Sequence, residues 1–172
     1  MQVEDERRYV EYVSSRLAWM RKIAFLLCQD WHHADDVAQA AITKLYVHWG
    51  TASRADNLDG YVRRIVVHEF LGFKRTAWAS RVDLSAEPPD GADWSGRSGE
   101  DDPTTRMVVR RALADVPPRQ RAALVLRYYC ELSVEETAAA LGCSPGTVKS
   151  QTARGLQSLR RALDASEIFV EG

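Results

Sequence analysis

The sequence predicts an all-α chain in which two small helical domains are joined by a flexible acidic linker, and three observations predict it. Apolar residues recur at three- and four-residue steps on both sides of the middle of the chain, the period of a helix and not of a strand. That period stops between Val82 and Pro103, where "VDLSAEPPDGADWSGRSGEDDP" is dense in Pro, Gly, Ser and acids. Finally, 172 residues, 45% hydrophobic and 27% charged, suffice for one medium core or two small ones. The expected division is a domain over 1–81, a linker over 82–103 and a second domain over 104–172.

Taken in order, the first helices run from Arg7 to about Trp78. In "VSSRLAWMRKIAFLLC" the residues Leu17, Met20, Ile23, Ala24 and Leu27 share one face. "ADDVAQAAITKLYVHW" repeats the device with Val37, Ala41, Leu45 and Val47 or His48, and opens on Asp35 and Asp36, where a helix N-terminus favours negative charge. The break "GTASRADN" leads into a third helix, "LDGYVRRIVVHEFLGFKRTAW". Beyond the linker, "TTRMVVRRALADV", "PPRQRAALVLRYYC", "LSVEETAAALG" and "SPGTVKSQTARGLQSLRRAL" predict four helices with short breaks, a compact all-α unit.

The last two helices carry explicit start and stop signals. Ser133 with Glu136 forms a capping box, Gly142 supplies a left-handed stop, and Ser144 followed by Pro145 starts the final helix. A tight Gly-containing turn with Ala138, Ala139 and Ala140 at the contact is a helix-turn-helix. In its second helix Val148, Gly155, Leu159 and Leu163 point inward, while Lys149, Ser150, Gln151 and Arg154 lie on the open side, able to donate to phosphates and to base edges in a major groove.

A second basic face lies in "YVRRIVVHEFLGFKRTAWASR", where Arg63, Arg64, Lys74, Arg75 and Arg81 oppose the single Glu69 and are interleaved with Tyr61, Phe70, Phe73 and Trp78. Cations that track a backbone and aromatics that stack on bases suit unpaired DNA, although several of these aromatics are equally expected in a core. The formal net charge is only -1, because acids in the linker and the N-terminal segment offset the basic faces. No apolar run of membrane-spanning length and no signal peptide occur, so a cytoplasmic protein is expected. The three cysteines fit reduced thiols, and Cys28 with His32 and His33 lacks a second ligand pair, so neither metal nor cofactor is expected. Adjacent helical positions point about 100° apart, which makes Asp35 with Asp36 a poor catalytic pair, and no phosphate loop or nucleophile pattern marks an enzyme. A free-standing helix-turn-helix repressor or a response-regulator output domain is the competing reading, one that requires a dimer on a palindromic site.

The stretch "LADVPPRQRAALVLRYYCELSVEETAAALGCSPGTVKSQTARGLQSLRRAL", with "ADDVAQAAITKLYVHW" and "YVRRIVVHEF" before it, resembles the fourth and second conserved regions of bacterial RNA polymerase sigma factors, specifically the extracytoplasmic-function group and its sigma-E-like subgroup. The resemblance implies a factor that directs promoter-specific initiation without being an enzyme. It implies that Thr147, Lys149, Ser150, Gln151 and Arg154 read the -35 element as duplex. The loop Gly50 to Asn57, with Tyr61, Arg63, Arg64, His68, Lys74 and Arg75, would capture the opened -10 strand. Asp35, Asp36 and Gln39 would grip the clamp helices of the polymerase's largest subunit, and the flap of the second-largest subunit is a further contact. The family commonly carries Glu where this chain has Ala40, and Asn where it has His68. An anti-sigma partner is implied as well; Glu135 and Glu136 are read as capping residues and not as DNA contacts.

Overall fold

A computed structural model describes residues 1–73 and 103–170, with side chains 1–72 and 103–166. Among the described residues there are helices and no strand. Contacts divide the chain into two units, Met1–Ser80 and Arg81–Gly172.

The first unit holds α1 (Val3–Cys28), α2 (Trp31–Val47), the single turn α3 (Trp49–Ala52) and α4 (Leu58–Phe73). α1, α2 and α4 pack pairwise around a core of Met20, Ile23, Ala24 and Leu27 from α1, Val37, Ala41 and Leu45 from α2, and Val62, Val66, Val67 and Phe70 from α4. Burying such side chains supplies about 1.5–3 kcal/mol each. Leu17, expected on the inward face, is instead 40% exposed: the buried stripe of α1 begins a turn later, at Met20.

The start of α2 also differs from expectation. Gln29 ends α1 in the left-handed region (φ 59°), and Asp30 then caps α2 by accepting the His32 N–H at 3.2 Å. Asp35 and Asp36 therefore sit in the second turn and not at the N-terminus. The helix starts early because Trp31 and Ala34 already belong to its buried face, and Trp31 stacks on Phe25 with centroids 4.1 Å apart. At the other end Val47 is 70% exposed and His48 is exposed too, since the chain turns there and Trp49 takes the buried position. Cys28 is packed in the core, and His33 pairs with Asp30.

The second unit holds α5 (Pro103–Ala114), α6 (Pro118–Leu124), a wider turn over Val125–Tyr129, α7 (Val134–Leu141) and α8 (Pro145–Val170). Pro103, counted with the linker in the sequence reading, opens α5. The wide turn closes with a bond from the Cys130 N–H to the Val125 carbonyl, five residues back, at 3.0 Å. Arg121 is buried at 1% exposure, and its Nη2 donates to the Ala114 and Val116 carbonyls at 3.2 and 3.0 Å. That bond pair pins the end of α5 onto α6 and satisfies carbonyls a helix terminus otherwise leaves open. No helix among the described residues is long and apolar enough to cross a membrane.

Candidate nucleic-acid interface

In the second unit the capping signals translate into geometry. Ser133 Oγ accepts the Glu136 N–H, and Glu136 Oε1 accepts the Ser133 N–H, both at 3.0 Å. Gly142 stands at φ 68°, and the Cys143 N–H closes on the Ala138 carbonyl at 3.1 Å. α8 then begins with Ser144 Oγ accepting the Thr147 N–H at 3.1 Å. Ala138 and Ala140 are buried at the turn, whereas Ala139, expected there too, faces outward because the intervening position lies on the other side of α7.

Val148 is fully buried, and Gly155 lies where α6 crosses α8. A Cβ built on Gly155 would meet Leu124 Cγ at 3.0 Å and the Gln120 carbonyl oxygen at 3.3 Å, so the two helices touch backbone to backbone. These contacts turn Thr147, Ser150, Gln151 and Arg154 outward on one stripe, while Lys149 lies about 100° round on the other side of Val148. Thr147, Lys149, Ser150 and Arg154 are exposed and Gln151 is half-buried. Neither Lys149 nor Arg154 meets a carboxylate among the described residues. Ser150 Oγ donates to the Thr147 carbonyl at 3.0 Å, and the Thr147 and Ser144 hydroxyls share a bond of 2.9 Å.

In the first unit Asn57, Tyr61, Arg64 and His68 recur at helical steps and form one stripe along α4. Asn57 Oδ1 accepts the Gly60 N–H at 2.9 Å, and a Cβ on Gly60 would come within 2.8 Å of Asn57 Nδ2, so this residue starts the helix as well as facing outward. Arg63 is not on the stripe; it lies about a third of a turn away, on the flank facing α1. Phe70 is fully buried and belongs to the core, so it offers no stacking surface. Lys74, Arg75, Trp78 and Arg81 lie outside the described residues, as does the linker. Glu69 is engaged by Lys44 of α2.

The α1-facing flank holds residues that sequence reasoning missed. Asp59 accepts the Tyr12 hydroxyl through Oδ1 and Arg16 Nη2 through Oδ2, each at 2.7 Å. Burial, and then the Asp59 hydrogen bond, push the Tyr12 phenol above its usual range. Trp19 lies beneath two guanidiniums, with Arg16 and Arg63 carbons 5.7 and 5.5 Å from its ring centroid. Tyr12, Arg16 and Trp19 follow one another at four- and three-residue steps, a spacing that could have marked them as one flank of α1.

On α2 the acidic residues part company. Asp35 Oδ1 accepts Arg21 Nε at 2.8 Å, and that guanidinium lies 5.5 Å from the Trp31 ring centroid. Asp36 and Gln39 are exposed, and Ala40 beside them is half-buried. Among the described residues no group of three or more His, Cys, Asp or Glu could hold a metal ion.

Family models for sigma-70 region 2 and sigma-70 region 4 match residues 12–80 and 106–159. The RNA polymerase sigma-E factor of Streptomyces coelicolor is 35% identical over 164 residues, covering 93% of this chain and 88% of that one. The ECF RNA polymerase sigma factor SigD of Mycobacterium tuberculosis is 34% identical over 143 residues, 77% of this chain and 64% of that one. Among solved structures, the sigma factor RpoE of Bartonella quintana, in complex with the anti-sigma factor NepR, superposes with a TM-score of 0.71 at 22% identity, covering 92% of this chain and 98% of that one. CnrH, in complex with the cytosolic domain of CnrY, gives 0.62 at 20% identity, covering 93% and 90%. These two likenesses concern the fold.

Proposed function

The chain belongs to the sigma-70 family as an extracytoplasmic-function, sigma-E-like factor for transcription initiation, and from that premise we propose how its two units divide the work. The second unit reads the -35 element as duplex, with Thr147, Ser150, Gln151 and Arg154 entering the major groove and Lys149 meeting the phosphates on the flank. The observation that carries this reading is the outward stripe on α8: its start is capped, its inner face is locked by Val148 and Gly155, and its cation Arg154 meets no carboxylate among the described residues.

The first unit captures the opened -10 strand along the α4 stripe of Asn57, Tyr61, Arg64 and His68. Lys74 and Arg75 are assigned to the same strand from sequence alone. Core polymerase docks on α2, where Asp36 and Gln39 lead and Asp35 meets the partner only in competition with Arg21. The flap of the second-largest subunit is the second anchoring point. RpoE is bound to the anti-sigma factor NepR and CnrH to the cytosolic domain of CnrY, which supports a bound partner of the inhibitor kind for this chain.

Magnitudes say why the factor works only on polymerase. Separating about a dozen base pairs at about 1.4 kcal/mol per step needs on the order of 15 kcal/mol. One or two stacked bases return about 1–3 kcal/mol each. The rest comes from the polymerase, which also holds the two units so that each raises the effective concentration of the other at its element. The chain contributes recognition and no catalysis.

The test is run-off transcription over a genomic library with purified core polymerase. New start sites appear only when this chain is added, and share paired upstream elements; core polymerase that gains no new start sites overturns the reading.

A further inference from the structure

The seam between α1 and α4 places an aromatic ring under a cation that no carboxylate among the described residues neutralises. Asp59 and Arg63 are four residues apart, the spacing at which an acid and an arginine on one helix ordinarily pair. Here Asp59 commits both oxygens to α1, one to Tyr12 and one to Arg16. Among the described residues Arg63, one turn along, has no carboxylate within ion-pair distance, and its guanidinium lies over Trp19 instead. Its Nε is buried without a hydrogen-bond partner among the described residues. A guanidinium resting on an indole is held by its face, and the in-plane N–H groups at its tip remain available for two-pronged contact with a phosphate.

We propose that Trp19 is a positioning residue that holds Arg63 at the α1–α4 seam, aimed at the phosphates of the unpaired strand next to the base held on the α4 stripe. The inference rests on the reading that the first unit captures an opened strand. It adds α1, and Trp19 in particular, to the surface over which that strand passes. Arg16 lies over the same ring, but its charge is already answered by Asp59, so it braces the seam and does not compete for the strand.

The experiment measures holoenzyme affinity for a fork-junction promoter with an unpaired -10 strand, across a salt series. Arg63→Ala is expected to reduce the log–log salt slope by about 0.7, the value for one phosphate on a single strand. Trp19→Leu, which fills the seam without a π face, weakens binding by about two- to fivefold, while Trp19→Phe stays within about twofold of the parent. The Trp19→Leu, Arg63→Ala double variant binds like Arg63→Ala alone, because the ring acts through the guanidinium.

Penalties that multiply in the double variant, or a Phe variant as weak as the Leu variant, would overturn the proposal by making Trp19 a packing residue only. An unchanged Trp19→Leu beside a weakened Arg63→Ala overturns this inference and leaves strand capture standing. An unchanged Arg63→Ala removes Arg63 from the strand surface and takes the inference with it. Should the Leu variant fail to fold, Trp19→Met takes its place in the cycle.

Discussion

On α8 the outward stripe contributes little to the fold, whereas on α4 the corresponding residues are built into it. Arg154 is exposed and meets no carboxylate among the described residues, and the core beneath it is made by other positions, Val148 and Gly155. On α4, Asn57 caps the helix it belongs to, Arg63 rests on Trp19, and the neighbouring Asp59 and Glu69 tie α4 to α1 and α2. In the proposed roles the second unit separates recognition from stability, as suits a rigid reader of intact duplex. The first unit couples them, so a strand that engages α4 also engages the contacts that hold three helices together.

The largest expected effect breaks this comparison most directly. Phe70→Ala should destabilise the first unit by about 3–5 kcal/mol, the usual penalty for emptying a buried aromatic site. Denaturant melts should then show a separate early transition, with duplex -35 binding retained by the second unit. A single transition that carried both units down together would mean that their stabilities are linked.

Arg154→Ala addresses the other side. It should weaken -35 duplex binding by about 1–3 kcal/mol if the side chain is bidentate to a base. The melting midpoint of the second unit should stay put, because the side chain is exposed. An equal loss on every sequence, measured by competition binding, would reassign Arg154 to the phosphates.

The smallest effect concerns the α1–α4 seam. The Tyr12 phenol holds its proton to higher pH in the folded unit than in the unfolded chain, where its value is near 10.0. Stability from this source is therefore complete below that value and drains away as pH rises through the raised one. Tyr12→Phe should cost about 1 kcal/mol at neutral pH through the lost hydrogen bond. It should also flatten the alkaline decline in the stability of the first unit, as read by urea melts from pH 8 upward.

These differences also explain what could be read before the structure. The Ser133 box, the Gly142 stop and the Ser144 start are local signals, complete within a few residues, and they appear in the structure as expected. The all-α class and the core positions Met20, Ile23, Ala24 and Leu27 of α1 and Val37, Ala41 and Leu45 of α2 followed from periodicity in the same way. The start of α2 did not, because Asp35 and Asp36 imitate a helix N-terminus while the true cap, Asp30, stands five residues earlier before an apolar Trp31. Nor did the Arg21–Asp35 pair or the Trp19 seam, since each joins residues from separate helices and depends on how those helices cross. Angular position divided the residues assigned to the reading face further: Lys149, grouped in the sequence with Ser150, Gln151 and Arg154, is set apart once Val148 is known to face inward.

The notch at Gly155 gives α8 the character of a keyed shaft. With Leu124 and the Gln120 carbonyl pressed against its backbone, the rod is denied both sliding and rolling, and even one added methyl would force a neighbour to give by a few tenths of an ångström. Every tip on the outward stripe inherits that displacement, so under the proposed reading alignment with a nucleobase is adjusted from the opposite side of the helix.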